Sequence, residues 1–531
     1  MNIINAVLSS PMPFMSLLLP LAVSVVIFSL RLYHRFIREK TGRSMYVDRK
    51  FLRITFLFVF VINVIFTFII WINFVEKGTV FYILSSNGWT NTIGWESKIR
   101  ALLQVDAIGA VSAVMMGLVA LSAAFAALAD KANPLSPTKA AFFMLTLCGI
   151  QGIFYSNGLI ALSIFILFGQ IGASGLYRGV PSGKGDFKKS FWYYSSRVVV
   201  IVMFFTGTFL VFQKYGTDNI AILSNIIVSG NMELTAFILL IVPLLFLFLK
   251  NSAYVKDSGR RCFFGIRAQA AFFVIFRIIF SLYGPMPGLE KIPALFILIG
   301  FLSLFSSLIL SPLSYDPLSF TEKMEMYLKS LMLITLGFSM NGMSSAESMT
   351  MYGISAIESM ISVWILYLPL SAALSVLCVN LKKREGDYEL WEYGALFNKM
   401  PATGCILFLI VCIIGGLPPF CGFAAKQFLF RAAYDANPLY MVVIFAASFF
   451  ILVYGVRYVS GIMFIRRGTG AYLPDVRERS IALPLSLIVL IFAVTSVAPG
   501  FFFDKGVTPS VSTLMNKTQV ISTSPLGGDQ K

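Results

Sequence analysis

The ionisable side chains set within apolar runs are the hardest residues to explain as packing, and Lys426 leads them. It closes the segment Gly415-Gly416-Leu417-Pro418-Pro419-Phe420-Cys421-Gly422-Phe423-Ala424-Ala425-Lys426. Glycines and prolines fall here in the middle of a long apolar stretch. Proline removes a backbone donor and clashes with the preceding turn, so a helix is expected to break into two halves at this point. Backbone groups freed at membrane depth survive only against protein or in a wet cavity. Transporters place ion sites at such breaks. A lysine about one turn beyond the break then faces the interior, where an amine is a candidate for proton exchange. The same residues also fit a plain kink, with Lys426 snorkelling from a helix end.

Other charges sit in comparable places. Glu325 and Lys329 are spaced i,i+4 near the start of an apolar stretch and can pair across one turn, either in the interior or as an exposed helix-end pair. Glu358 lies a short way into a long apolar run, where it faces the bundle interior or caps the start. Arg277 lies deep in another run and either lines the interior or snorkels. Asp106 opens an apolar run, as carboxylates do at helix N-termini. The six cysteines show no CxxC spacing, so they read as small core residues and supply neither disulfides nor a metal site. One histidine, His34, lies in a basic loop, which argues against haem or a multi-histidine metal centre. No P-loop or GxGxxG fingerprint occurs. The chain therefore reads as holding no cofactor and no catalytic site of its own.

These residues need a scaffold, and composition defines its solvent. Of 531 residues, 57% are hydrophobic and 13% charged, and the mean hydropathy is +0.82. A typical soluble domain carries about 25% charged residues. Lipid must be the solvent for most of the chain. About fourteen apolar stretches can cross a core of roughly 30 Å. They lie near 13–32, 51–75, 106–129, 138–156, 159–178, 196–213, 233–250, 262–283, 293–311, 326–342, 353–380, 402–430, 438–465 and 482–502. The formal net charge of +17 sits in short gaps between them and calls for no nucleic acid. Loops after odd-numbered spans carry most of the basic residues, such as Lys250, Lys256, Arg260 and Arg261, or Lys382, Lys383 and Arg384. By the positive-inside rule those loops are cytoplasmic and both termini lie outside. Such loops fit a bacterial inner membrane. No soluble domain fits between the spans, and the tail 503–531, rich in Ser, Thr, Gly and Pro, reads as mobile.

The run from Gly416 to Lys426 resembles the Gly-hydrophobic-Pro-Pro-x-x-Gly-Phe-x-x-Lys signature of the antiporter-like membrane subunits. That family is shared by respiratory complex I and the multisubunit Mrp-type cation/proton antiporters. Its flanks agree: Tyr393-Gly394-Ala395-Leu396 and Pro401 before it, Tyr454 and Tyr458 after it, and Gly88-Trp89 with Asp106 near the front. The likeness covers roughly 85–465 and is strongest over 390–465. It implies an all-α polytopic membrane protein of about fourteen helices with two inverted five-helix repeats and broken helices. Domain boundaries follow: 1–137 for helices one to three and an outer loop, 138–283 for a degenerate first repeat, 293–465 for the second, and 466–531 for the last span and tail. It implies one membrane subunit of a proton-translocating or cation/proton antiport complex. The partners are other membrane subunits and the lipid bilayer; the cargo is protons, with Na⁺ or K⁺ as candidate counter-ions. A non-conducting structural paralogue and an unrelated secondary transporter are the alternatives.

The resemblance also marks departures. The family carries a glutamate on helix five and lysines on helices seven and eight. Gln170, seven residues before Tyr177, falls at the glutamate. Pro243 matches the proline of the first broken helix, which puts Ile238 at one lysine, and counting back from Arg277 puts Gln269 at the other. None of the three can carry a proton charge. Arg267, two residues from Gln269, is expected to point elsewhere on its helix. The relay expected from the resemblance is Lys426, Glu358, Lys329, Glu325 and Arg277. The helix breaks involve Gly416, Pro418, Pro419 and Gly422, with Pro243 in the first repeat.

Overall fold

The computed structural model describes residues 12–41, 49–77, 81–82, 104–129, 135–177, 186–220, 223, 234–249, 258–282, 291–312, 317–342, 351–385, 401–418, 420–464, 504 and 507–515. The fourteenth expected span at 482–502, the Gly88-Trp89 and Tyr393–Leu396 motifs, Pro419, and Lys250 and Lys256 lie outside them.

Long apolar runs close their backbone hydrogen bonds internally, as lipid requires. The resulting helices are α1 Met12–Thr41, α2 Arg49–Lys77, α3 Ala107–Ala129, α4 Pro137–Tyr155, α5 Leu159–Tyr177, α6 Asp186–Tyr215, α7 Leu234–Leu249 and α8 Ser258–Leu282. They continue as α9 Ile292–Leu310, α10 Pro317–Gly342, α11 Met351–Glu385, α12 Pro401–Gly415, α13 Cys421–Ala436, α14 Pro438–Phe464 and α15 Thr508–Met515. Between α2 and α3 two short strands, β1 Phe81–Tyr82 and β2 Gln104–Val105, pair antiparallel. Among the described residues ten helices are long and apolar enough to cross a membrane; Leu234–Leu249 and Thr403–Gly415 are shorter apolar helices. The chain is a multi-pass membrane protein.

Burial divides the bundle into a centre and a rim. The apolar window of α11 is 100% buried and that of α8 94%, against 28% for α1 and α14 and 33% for α2 and α6. The centre therefore consists of α8 and α11, packed on each other and on α3. The rim shows lipid-facing stripes such as Leu439, Val442, Phe445, Phe449 and Val453 on α14.

Two hairpins, α4–α5 and α9–α10, pack backbone to backbone. A side chain at Gly149 would run into the backbone of Gly169, and one at Gly337 would meet the Pro293 carbonyl at 2.9 Å. Small residues give close helix approach in membranes, where van der Waals packing replaces the hydrophobic drive. A reciprocal amide pair, Asn63 with Gln151, ties α2 to α4; Asn63 also donates to the Ser16 carbonyl of α1 at 2.9 Å.

Some expectations change. The helix α7 runs unbroken through Pro243, which is buried inside it, so Pro243 breaks nothing within Leu234–Leu249. The helix α10 starts at Pro317, well before 326, so Glu325 lies two turns inside it and not at its end. In the tail, Thr508–Met515 forms α15, and Val507, Ser510 and Val511 are buried as it packs on α3, α8 and α11.

Candidate functional site

The apolar run 401–436 does break. The helix α12 ends at Gly415, and Gly416 takes φ +76°, which an L side chain rarely adopts. The Gly416 N–H donates to the Ile413 carbonyl at 3.1 Å and Leu417 N–H to the Cys412 carbonyl at 3.0 Å. This pair of bonds is the Schellman ending, and it leaves the Ile414 carbonyl without a partner from the helix. The chain turns through the exposed Pro418 and re-enters as α13 at Cys421. Gly422 packs on the Ile413 carbonyl so closely that no Cβ fits between them. The two halves are thus held together across the break by one glycine at the turn and another at the contact.

Lys426 then folds back onto the break. It is 4% exposed. Its Nζ donates to the Ile414 carbonyl at 2.7 Å and to the Tyr327 hydroxyl of α10 at 2.9 Å. The side-chain carbons pass so near Gly416 that an added Cβ would lie 2.6 Å from Lys426 Cδ. A cation at a helix C-terminus is favoured by the helix dipole by about 1 kcal/mol. Lys426 therefore faces the protein interior and does not snorkel. Tyr327 is fully buried, and its hydroxyl lies 2.7 Å from Ser448 Oγ of α14; Ser448 in turn donates to the Ile444 carbonyl at 2.9 Å.

A second group lies where α8, α10 and α11 meet. Glu325 and Lys329 are each 2% exposed, so they form part of the interior. Lys329 Nζ sits 5.8 Å from the centroid of the Phe248 ring and within electrostatic reach of Glu325, Glu322 and Arg267. Gln269 is fully buried, and neither its amide nitrogen nor its side-chain oxygen bonds to another described group, while its backbone carbonyl accepts from Trp364 Nε1 at 3.2 Å. Buried amides normally satisfy such atoms, commonly through internal water.

A third group joins α5, α6 and α8. The side-chain carbonyl of Gln170 accepts from Arg197 at 2.5 Å and from Arg267 at 3.4 Å. Arg267 points elsewhere than Gln269, as its spacing predicts, and reaches across to α5. Arg197 stands at the very start of the apolar stretch 196–213, where a basic residue looks like a helix end. The helix starts at Asp186, so Arg197 lies three turns inside it, 3% exposed.

The remaining expected residues fall elsewhere. Arg277 faces the interior. It pairs with Asp106 at 3.3 Å and donates to the Phe154 carbonyl at 3.4 Å. Asp106 also accepts from the Gly109 N–H at 2.8 Å, capping α3. Arg277 is thus a tie between helices, separated along α8 from Gln269 by Phe273 and Phe276, which pack with Trp364. Glu358 is partly exposed, with Arg431 of α13 as its charged neighbour, and lies apart from Lys426's bonds. Ile238 is 43% exposed, in line with Leu234, Val242 and Phe246, and points out of this chain, while Phe237 and Ile241 hold the inward face.

The fold and site define an all-α membrane protein with a buried lysine on a broken helix. Residues 330–451 match the family described as NADH:quinone oxidoreductase/Mrp antiporter, transmembrane. NADH-quinone oxidoreductase subunit N 1 of Herpetosiphon aurantiacus is 28% identical over 138 residues, 26% of each chain. Subunit N of Desulfitobacterium hafniense is 26% identical over 140 residues, 25% of this chain and 28% of that one. The matched region thus spans about a quarter of the length of these curated relatives. Solved structures match over nearly the whole chain. A chain of the Mrp complex from a Dietzia species has TM-score 0.74 at 15% identity, covering 96% of this chain and 99% of that chain. A chain of the archaeal membrane-bound sulfane sulfur reductase has TM-score 0.77 at 17% identity, covering 97% and 100%. One from Thermus thermophilus respiratory complex I has TM-score 0.67 at 13% identity, covering 95% and 99%. The chain has the fold of these membrane subunits.

Proposed function

We propose that this chain is one membrane subunit of a multisubunit complex that translocates protons or exchanges them for Na⁺ or K⁺. The observation that carries this reading is Lys426: a buried amine seated on the freed carbonyl of a broken helix. Such breaks serve ion sites in transporters, and intramembrane charges mark ion pathways. The interior charges Glu325 and Lys329 and the buried amide of Gln269 supply further polar groups between α8 and α10. The chain offers no cofactor motif, so the driving force comes from partner subunits or an ion gradient. The loops argue for odd-to-even connections in the cytoplasm of a bacterium and both termini outside.

Within this reading the two five-helix segments, 138–283 and 293–465, are inverted repeats that divide the work. The second carries Lys426, Lys329 and Glu325. The first holds Gln170 between two arginines and points Ile238 out of this chain, which favours a scaffolding role for that half.

Purification from native membranes through a tag on this chain tests the reading. Other multi-pass subunits should co-purify, and proteoliposomes of that complex should show proton or cation flux that is lost when the chain is deleted. A chain that purifies alone, or a complex whose flux is unchanged without it, would refute the proposal.

A further inference from the structure

Lys426 ends in a row of hydrogen bonds whose direction can be assigned by counting protons. The Ile414 carbonyl can only accept, so one N–H of Lys426 stays on it. As an ammonium, Lys426 also donates to Tyr327 Oη. The tyrosine then turns its single O–H to Ser448 Oγ, and Ser448 turns its own to the Ile444 carbonyl. Two of the three ammonium hydrogens and both hydroxyl hydrogens are then placed in the row.

A neutral amine carries a lone pair, and that pair cannot face Ile414. Its second N–H is a weak donor and its lone pair a strong acceptor, so the pairing with Tyr327 is stronger when the phenol O–H swings round to donate to Nζ. Tyr327 Oη is left to accept, and Ser448 is the hydroxyl in place to donate to it, which releases the Ile444 carbonyl. The whole row reverses.

Resting on the reading of Lys426 as an ion-handling amine, we propose that Tyr327 and Ser448 are positioning residues that form a two-state hydroxyl switch, reporting the protonation of Lys426 on α13 to α14. The switch joins α10, α13 and α14 in one buried row, so one direction engages the Ile444 carbonyl of α14 and the other releases it. Other charged and titratable groups lie on the surrounding elements. The helix α10 carries Glu322, Lys323, Glu325 and Lys329. Among the described side chains, the helix α11 carries Glu358 and Tyr367, α12 carries Cys405 and Cys412, α13 carries Cys421, Arg431, Tyr434 and Asp435, and α14 carries Tyr440, Tyr454, Arg457 and Tyr458. None of them bonds to Lys426; its partners are Tyr327 and Ile414.

Tyr327→Phe removes only the hydroxyl and keeps the ring, whose centroid lies 5.1 Å from Lys426 Nζ. In proteoliposomes of the assembled complex, Tyr327→Phe and Ser448→Ala should each lower flux roughly tenfold. Each should also move the alkaline limb of the flux–pH profile to lower pH, because the ammonium loses the row that accepts from it. Ser448→Thr should restore flux and profile. Tyr327→Phe or Ser448→Ala with wild-type flux and profile would overturn the switch, as would a Ser448→Thr variant as impaired as Ser448→Ala. Should Tyr327→Phe fail to assemble, the two Ser448 variants decide. Lys426→Ala, measured alongside, separates the premises: its retention of flux refutes the ion-handling reading, whereas its loss with unaffected Tyr327 and Ser448 variants refutes only the switch.

Discussion

Lys426 can stay buried because the break beside it supplies what a buried amine needs. An isolated charge in a low dielectric is expensive unless it is paired and hydrogen-bonded. Here the acceptor is the Ile414 carbonyl that the Schellman ending leaves open, with the Tyr327 hydroxyl as a second. Gly416 makes both possible, by its φ of +76° and by the space it leaves for the lysine stem. Gly416→Ala should therefore cost about 1–3 kcal/mol in backbone strain, beyond the contact 2.6 Å from Lys426 Cδ. We expect a lower melting temperature for the purified complex together with reduced flux. A wild-type melting temperature would show that the turn is not strained by a side chain. The break was legible in the sequence because Gly-Gly and Pro-Pro act locally, on the chain's own hydrogen bonds. The partners of Lys426 were not: Tyr327 lies 99 residues away and Ser448 is 121 residues from Tyr327. Only tertiary packing brings them together.

At the scale of elements, Ile238 shows where sequence reasoning runs out. Apart from Thr235 every residue of α7 is apolar, so hydrophobic periodicity carries almost no phase information. Packing sets the phase instead, placing Phe237, Leu240, Ile241 and Leu244 inward and Ile238 outward. The helix α6 posed the opposite difficulty: its polar start hid the interior position of Arg197. A rotation of one residue separates the outer face from the interior, so a motif match alone could not decide between Ile238 and Phe237. Ile238→Lys should restore no relay. It should instead weaken membrane insertion by roughly 2 kcal/mol, read as a loss of membrane-integrated protein in pulse-labelled cells. Normal insertion with a gain of flux would mean that α7 is turned the other way. The expected breaks divide similarly: Pro418 sits in an open turn, while Pro243 is buried within a continuous helix.

At the scale of the whole molecule, charge is placed by role. Lys426, Lys329 and Glu325 lie among α10, α11 and α13, whereas Asp106 and Arg277 fasten α3 to α8 near the end of α4. Removing one partner of a buried ion pair costs about 3–5 kcal/mol, because the other charge is left behind. Arg277→Ala should thus lower the thermal stability of the solubilised complex more than Arg277→Gln combined with Asp106→Asn. Equal losses would mean the pair contributes no coupling. The membrane class and multi-helix architecture were legible because composition alone fixes the solvent. The burial of α15 was not, since nothing in Thr508–Met515 distinguishes a packed helix from a free tail. The most direct measurement is proton and cation flux through proteoliposomes containing the intact complex with Lys426→Ala, with assembly verified by its subunit content. The account predicts that flux falls to near background while the subunits remain together; flux at the wild-type level would contradict it.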